Sequence, residues 1–205
     1  MAATALIINA TWEHIVLVYT SLVVSILIAL PLAFASLYSR RLALVVMNFA
    51  NLVQAVPSFA VVAIVVPFLG IGFFPALIAI MLRALLPIIK NTYIGLTNID
   101  PALLDYAHGI GLSEWQIHRF IRFPNAYPAM FAGIKFAAIL TNSIAVLTAF
   151  IGSGGLGEII FQGLIGYNTQ KLLSGAIPAI ILAVLIDFFF TILEKKITPE
   201  HLKND

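Results

Sequence analysis

"DYAHGIGLSEWQIHRFIRFP", residues 105–124, is the one long stretch of this chain with the mixed polar and charged composition of a soluble protein. Over all 205 residues, 61% are hydrophobic and only 10% are charged, against roughly 25% charged in a soluble domain. The composition excludes a soluble protein and predicts one membrane domain over residues 1–205, because the length leaves no room for a second folded domain. The net charge of +2 does not predict nucleic-acid binding, and the absence of cysteine excludes thiol chemistry.

Five stretches are long and apolar enough to cross a bilayer, which takes roughly 20 residues each. They predict an all-α integral membrane protein with spans at about 15–38, 43–69, 73–97, 125–150 and 172–193. Cytoplasmic loops carry the excess of Lys and Arg, so we expect the N-terminus outside and the C-terminus in the cytoplasm. This orientation leaves Lys171 outside and places these loop and tail cations inside: Arg40, Arg41, Arg119, Arg122, Lys195, Lys196 and Lys203. The first fourteen residues hold no Lys or Arg, so we expect no cleaved signal peptide.

The segment 100–124 then lies in the cytoplasm, between the third and fourth spans. Asp100 is a helix N-cap followed by Pro101 at the first helical position, so a short helix is predicted to start there. Gly109 and Gly111 are expected to end it, since glycine adopts the left-handed conformation that closes a helix.

A second short helix is predicted to start at Ser113, which forms a capping box with Gln116, and to stop at Pro124. Its predicted apolar face consists of Ile117, Phe120 and Ile121, and its polar face of Trp115, His118, Arg119 and Arg122. Two interpretations fit such a helix. It can lie on the lipid headgroups with its arginines toward phosphate, or it can dock into a groove of a cytoplasmic partner.

The spacing of this segment resembles the EAA motif found in the membrane subunits of ABC importers. The matching positions are Asp105, Ala107, Gly111, Ile121 and Pro124, while Asp105, Tyr106 and Phe123 differ in residue type from the consensus. Further stretches resemble the osmoprotectant branch, the permeases for glycine betaine, carnitine and choline: "VPSFAVVAIVVPFLGIGFFPALIAI", "ALLPIIKNTYIGL", "DPALLDYAHGIGLSEWQ" and "AFIGSGGLGEIIFQGL".

The resemblance implies a type I ABC importer permease with five spans in the bacterial cytoplasmic membrane. It implies a second permease chain, identical or paralogous, two ATPase subunits that hold ATP and Mg, and a separate substrate-binding protein, with no cofactor or catalytic site in this chain. It also implies that 100–124 is the ATPase-coupling segment, with these residues in contact or in support: Asp105, Ala107, Gly109, Gly111, Ser113, Trp115, Gln116, Ile121 and Pro124. Two other classes of protein remain as alternatives to an ABC importer permease: an ion-driven secondary transporter and a membrane scaffold without transport.

Polar residues inside the predicted spans are candidates for the translocation pathway: Arg83, Asn91, Asn142, Ser143 and Thr148. Arg83, near mid-bilayer, either contacts the carboxylate of a zwitterion or ties two subunits together. The residues of the fourth span either line a polar path or allow close helix packing. Lys90 and Asp187 lie at matched depth, so Lys90 either pairs with Asp187, extends to the interface or lines the pathway.

Two further features interrupt the apolar pattern. Pro57 is expected to kink the second span, with Gln54 and Ser58 placed to satisfy the freed backbone groups. The run 151–168 lies on the outer side, and its "GSGGLG" lacks the preceding strand that a dinucleotide site requires. It is expected to turn tightly and pack closely at an outer gate or under a docked binding protein, through Gly152, Gly154, Gly155 and Gly157.

Overall fold

The computed structural model describes residues 2–197, so Lys203, counted above among the cytoplasmic cations, lies outside the described residues. All the regular secondary structure in this part of the chain is helical. The α-helices are α1 (Ala2–Tyr38), α2 (Arg40–Ala55), α3 (Ser58–Leu69), α4 (Phe73–Thr97), α5 (Pro101–Gly109), α6 (Glu114–Ile117), α7 (Phe123–Thr148), α8 (Leu156–Ile165) and α9 (Thr169–Ile197). A π-helix, His118–Arg122, precedes α7, and a 3-10 turn, Ala149–Ile151, follows it.

Four described helical segments are long and apolar enough to cross a membrane: Thr4–Tyr38, Phe73–Thr97, Glu114–Ile151 and Thr169–Lys196. The consecutive helices α2 and α3 make a fifth span if they are counted as one. The all-α membrane fold predicted from composition is therefore confirmed. Helix α1 starts at Ala2, well before the predicted residue 15, and its 37 residues measure about 55 Å at 1.5 Å per residue.

The second span is broken rather than kinked. Helices α2 and α3 meet at an angle of 103°, and the chain is extended at Val56 (φ −72°, ψ 132°) and Pro57 (φ −54°, ψ 139°). A proline disfavours the helical conformation of the residue before it and cannot donate a backbone hydrogen bond. The predicted disruption at Pro57 is therefore present, but as a break between two helices rather than a kink within one.

Helix α4 is the central helix of the fold. It packs against α1, α2, α3 and α7. In its most apolar 18-residue stretch 67% of the residues are buried, compared with 17% in the corresponding stretch of α9. Large aliphatic side chains such as Ile80, Ile88 and Ile89 are completely or almost completely buried there. Because α9 is apolar yet mostly exposed, this helix has a wide surface available to lipid or to another chain.

Candidate coupling segment, pathway and outer loop

The first helix of the polar segment starts and ends as predicted. The Asp100 carboxylate accepts a hydrogen bond from the Ala102 N–H at 2.9 Å, with Pro101 in the first turn. At the other end, the Gly111 N–H donates to the His108 carbonyl and the Leu112 N–H to the Ala107 carbonyl, at 2.9 and 3.0 Å. This is a Schellman motif with Gly111 in the left-handed conformation, φ +82°. Gly109 lies inside α5 without a positive φ, so Gly111 alone supplies the left-handed turn.

The second helix begins with the predicted capping box. The Ser113 N–H donates to Gln116 Oε1 at 2.8 Å, and the Gln116 N–H donates to Ser113 Oγ at 3.4 Å. The prediction that this helix stops at Pro124 was wrong, because the helix runs through the π-helix directly into α7. The Phe123 N–H reaches back five residues to the His118 carbonyl, and Pro124 falls in the first turn of α7, where a missing donor costs little.

The π-helix also changes which side chains are exposed. Phe120, assigned above to the apolar face, is 60% exposed, whereas Ile117 is fully buried and Ile121 half-buried. A π-helix has more residues per turn than an α-helix. Residues beyond Ile117 therefore do not share the face that 3.6 residues per turn predicts. The Arg119 guanidinium lies 5.1 Å from the Trp115 ring and 5.8 Å from the Phe120 ring, which is within cation–π range.

The exposed surface of the segment combines these rings with other uncovered apolar side chains. Tyr106 is 75%, Ile110 78% and Trp115 62% exposed. His108 Nε2 and Glu114 Oε1 are 3.0 Å apart and bridge the two short helices. An exposed cluster of large aromatic and aliphatic side chains around an arginine has the composition of a protein-binding hot spot. The predicted coupling residue Ala107 is instead buried at the base of the segment, and Asp105 is exposed.

The inner side of the segment is tied to two spans. The Arg122 Nη1 donates to the Leu96 carbonyl at 2.9 Å, near the end of α4. This contact turns Arg122 toward protein rather than toward lipid headgroups. The His118 ring meets Tyr38, at the end of α1, edge-on at 5.5 Å, and the rings of Phe123 and Phe34 are 4.8 Å apart. A displacement of the segment therefore bears directly on α1, α4 and α7.

Arg83 caps the broken span. Its Nη1 donates to the carbonyls of Val53, Gln54 and Val56 at 3.0, 2.9 and 2.7 Å. These are the carbonyls that the end of α2 leaves without intrahelical partners, and a cation at a helix C-terminus also favours the helix dipole. The expectation that Gln54 and Ser58 satisfy the break was wrong, since Arg83 supplies the donors. Arg83 is 7% exposed, so the described chain itself surrounds it.

The other pathway candidates also make contacts inside the chain. Asn142 is buried. Its Oδ1 lies 3.3 Å from His14 Nε2, and its Nδ2 donates to the Ala179 carbonyl at 3.4 Å. Thr148 Oγ1 is 2.9 Å from Ser153 Oγ. Asn91 and the exposed Ser143 donate to carbonyls one turn back in their own helices. These contacts favour a role in helix packing for Asn142 and Thr148, whereas the Ser143 side chain is exposed on the surface of α7.

The glycine-rich run forms a loop around the start of α1. Gly152, Gly154 and Gly155 have φ values of +75°, +73° and +79°, and the Gly155 N–H donates to Glu13 Oε2 at 3.0 Å. A Cβ at Gly157 would overlap the Val146 carbonyl oxygen, so α8 packs directly on the α7 backbone. Tight turning and close packing were both predicted.

Sequence reasoning did not identify Glu13 and His14. They tie α1 to this glycine loop and to Asn142. The available signal was an adjacent acid and histidine in an otherwise apolar N-terminal stretch, just before the predicted first span. A cavity of about 410 Å³ opens beside Glu13 and is also lined by Glu158 and Gln162. Among the described residues there is no cluster of three His, Asp or Glu that could hold a metal ion.

An ion pair joins α7 and α9, but it is not the pair anticipated from depth. Asp187 Oδ1 lies 2.9 Å from Lys135 Nζ, and the same ammonium donates to Thr191 Oγ1 at 2.8 Å. Lys90 is exposed on α4. The depth argument could place Lys90 level with Asp187, but it could not show that Lys135 is on the helix that packs against α9.

Comparison with known proteins agrees with this geometry. Residues 14–199 match the family model described as "Binding-protein-dependent transport system inner membrane component". The carnitine transport permease protein OpuCB of Listeria monocytogenes is 37% identical over 193 residues, which are 94% of this chain and 88% of that protein. The glycine betaine/carnitine/choline transport system permease protein OpuCB of Bacillus subtilis (strain 168) is 38% identical over 193 residues, which are 94% of this chain and 89% of that protein.

The fold is also found in a solved transporter. A chain of the inward-facing MetNI methionine ABC transporter, in the CY5 native crystal form, superposes with a TM-score of 0.84. The match covers 97% of this chain and 99% of that chain at 22% identity, so it establishes the fold alone. The predicted type I fold is thereby confirmed, and the chain belongs to the family of inner membrane components of binding-protein-dependent transport systems.

Proposed function

We propose that this chain is the permease subunit of an ATP-driven importer for osmoprotectants, the quaternary ammonium solutes glycine betaine, carnitine and choline. The observation that carries the proposal is the polar hairpin of α5 and α6, which has the spacing of the EAA motif and continues without a break into the span α7. The relatives' transport of these solutes supports the substrate class. The chain works in the bacterial cytoplasmic membrane.

In this proposal the hairpin is the ATPase-coupling segment. Its exposed cluster of Tyr106, Ile110, Trp115 and Phe120 seats in a cleft of an ATPase subunit. Asp105 contributes an exposed charge at the rim, while Ala107, Gly111 and the Ser113–Gln116 capping box hold the shape of the turn. Because α6 leads through the π-helix into α7, closure of the ATPases on ATP moves α7 as a rigid extension of the docked helix.

The proposal requires the N-terminus outside and the hairpin inside. The positive-inside distribution supports this orientation. The chain has no cysteine, so single-cysteine variants report one position each. Ser113→Cys is expected to react with a membrane-impermeant maleimide only from the cytoplasmic side, and Tyr167→Cys, 97% exposed beyond α8, only from the outer side. The opposite pattern would reverse the orientation and detach the hairpin from any cytoplasmic ATPase.

The assembly comprises two permease chains, two ATPase subunits and a separate binding protein that delivers solute to the outer face. ATP and Mg bind in the ATPase subunits, and this chain has no catalytic site of its own. The second permease chain is identical or paralogous. The glycine loop around Glu13 lies at the outer end of the fold, where it serves as a gate or as a contact for the binding protein.

Co-purification tests the assembly. The chain expressed with its cognate ATPase subunit is expected to form a stable complex in detergent, with two copies of each protein by mass measurement. A folded permease that leaves the ATPase in the unbound fraction would contradict the proposal.

A further inference from the structure

The Lys135 ammonium is held between two groups of α9. It lies 2.9 Å from Asp187 Oδ1 and 2.8 Å from Thr191 Oγ1. The Thr191 hydroxyl itself donates to the Asp187 carbonyl at 2.7 Å, which leaves its oxygen free to accept from Lys135. The two helices thus present one cation and one anion side by side in a fixed arrangement.

This pair lies far from both ends of its helices. Lys135 is about 18 Å along α7 from Phe123 and about 20 Å from Thr148, at 1.5 Å rise per residue. Asp187 is about 15 Å from the end of α9 at Ile197 by the same rise. Asp187 is about 9 Å from residue 193, where the predicted span ends, so both charges lie within a hydrocarbon core roughly 30 Å thick.

The pair is also open to the surface of the chain. The Asp187 side chain is 53% exposed and the Lys135 side chain 26%. Ile180 and Val184, on the same face of α9, are each 62% exposed. Charges inside a membrane are costly against lipid and therefore face protein or a water-filled cavity. The face of α9 that carries Asp187 is therefore not a lipid-facing surface.

Two other strongly polar groups described in the spans are used up within the chain, whereas the exposed Lys90 of α4 offers only a positive charge. Arg83 caps α2, and Asn142 is buried between His14 and the Ala179 carbonyl. Neither presents its charge or amide to a passing solute. The Lys135–Asp187 pair, in contrast, is partly exposed and holds both signs of charge within one ion-pair distance.

We propose that Lys135 and Asp187 form a solute site on the wall of the translocation pathway, suited to a small zwitterion. The solute carboxylate lies against the Lys135 ammonium, and its quaternary ammonium lies against the Asp187 carboxylate. One internal ion pair is thereby exchanged for two intermolecular ones, with no net charge left unpaired. A solute with an ammonium but no carboxylate pairs with Asp187 alone and leaves Lys135 without its anion. This inference rests on the proposed transport function and deepens it.

Cysteine accessibility tests whether the face lines a pathway. Val184→Cys and Leu185→Cys place one thiol on adjacent, similarly exposed residues of α9, of which only Val184 shares the face of Asp187. In the assembled permease–ATPase complex in liposomes, we expect Val184→Cys to react with the trimethylammonium reagent MTSET about tenfold faster, because lipid suppresses the reactive thiolate. Equal slow labelling of both thiols, or a disulfide between two Val184→Cys chains, would overturn the proposal, since the face would then be lipid or a packed subunit contact.

Selectivity tests the roles of the two charges in the same Val184→Cys background. Glycine betaine is expected to slow MTSET labelling of the parent. Lys135→Gln should abolish protection by glycine betaine and leave protection by choline unchanged, whereas Asp187→Asn should abolish both. Equal loss for both solutes in both variants, with the complex still assembled, would mean that the pair serves structure only. Failure of the unsubstituted, cysteine-free chain to take up solute with ATP would instead count against the proposed transport function.

Discussion

The guanidinium of Arg83 replaces the hydrogen bonds that the break at Pro57 removes. Three carbonyls at the end of α2 accept hydrogen bonds from one Nη1 atom. Inside a membrane there is no water to donate to these carbonyls if the guanidinium is removed. Sequence reasoning identified Arg83 as a charge near mid-bilayer. It could not assign the partners, because they lie in a helix end whose direction depends on the 103° bend.

Replacement of Arg83 is expected to loosen the broken span. Arg83→Met leaves three carbonyls without their donor, and we expect a loss of roughly 2–4 kcal/mol in the free energy of unfolding of the assembled complex. Arg83→Lys keeps a charged donor and should lose less. Lys90→Met removes an exposed cation two turns further along α4 and serves as the control. Thermal unfolding of the purified complex measures all three, and equal melting temperatures for Arg83→Met and Lys90→Met would refute the capping role.

Gly157, at the start of α8, has the least room for a side chain in the glycine-rich run. A Cβ there would overlap the Val146 carbonyl oxygen and lie 2.8 Å from the Ala149 Cβ. We expect Gly157→Ala to push α8 away from α7 and to cost roughly 1–3 kcal/mol of stability. Gly109→Ala meets no atom within 4 Å and should leave the melting temperature unchanged or raised, since alanine favours the helix. Identical melting curves for the two variants would show that the close contact is not required.

At the scale of elements, the hairpin shows how far local signals extend. The caps at Asp100 and Ser113 and the left-handed turn at Gly111 were predicted, because each depends on residues a few positions apart. The continuation through Pro124 and the exposure of Phe120 were not. They follow from a π-helix that is anchored from outside by Leu96 and Tyr38, and no pattern within the segment reports those contacts.

The docking role predicts a specific effect at Trp115. This ring is 62% exposed with Arg119 stacked over it, so Trp115→Asp leaves the buried contacts of the hairpin in place. We expect it to weaken binding of the ATPase by about thirtyfold or more, as a loss of about 2 kcal/mol at a hot spot implies. Trp115→Phe keeps an apolar ring and should retain most of the affinity. Titration of the ATPase onto permease in nanodiscs gives both values, and unchanged affinity for Trp115→Asp would remove the hairpin from the interface.

At the scale of the whole molecule, α1 connects the two ends of the fold. Its N-terminal half holds the glycine loop through Glu13 and Asn142 through His14, and its C-terminal end meets the coupling segment at His118. The class of protein, the all-α membrane fold and the caps of the hairpin were predictable from composition and motif spacing. The partners of Glu13, Arg83 and Asp187 were not, because pairing across helices depends on their rotation and packing.

The central claim, that this chain moves osmoprotectants at the expense of ATP, is tested most directly by uptake into proteoliposomes. The complex of this chain with its ATPase, supplied with its binding protein outside and ATP inside, is expected to accumulate labelled glycine betaine, with carnitine and choline as competitors. Omission of ATP or of the binding protein should reduce uptake to the level of empty liposomes. Accumulation that persists without ATP and follows an imposed ion gradient would contradict the account and establish an ion-driven transporter instead.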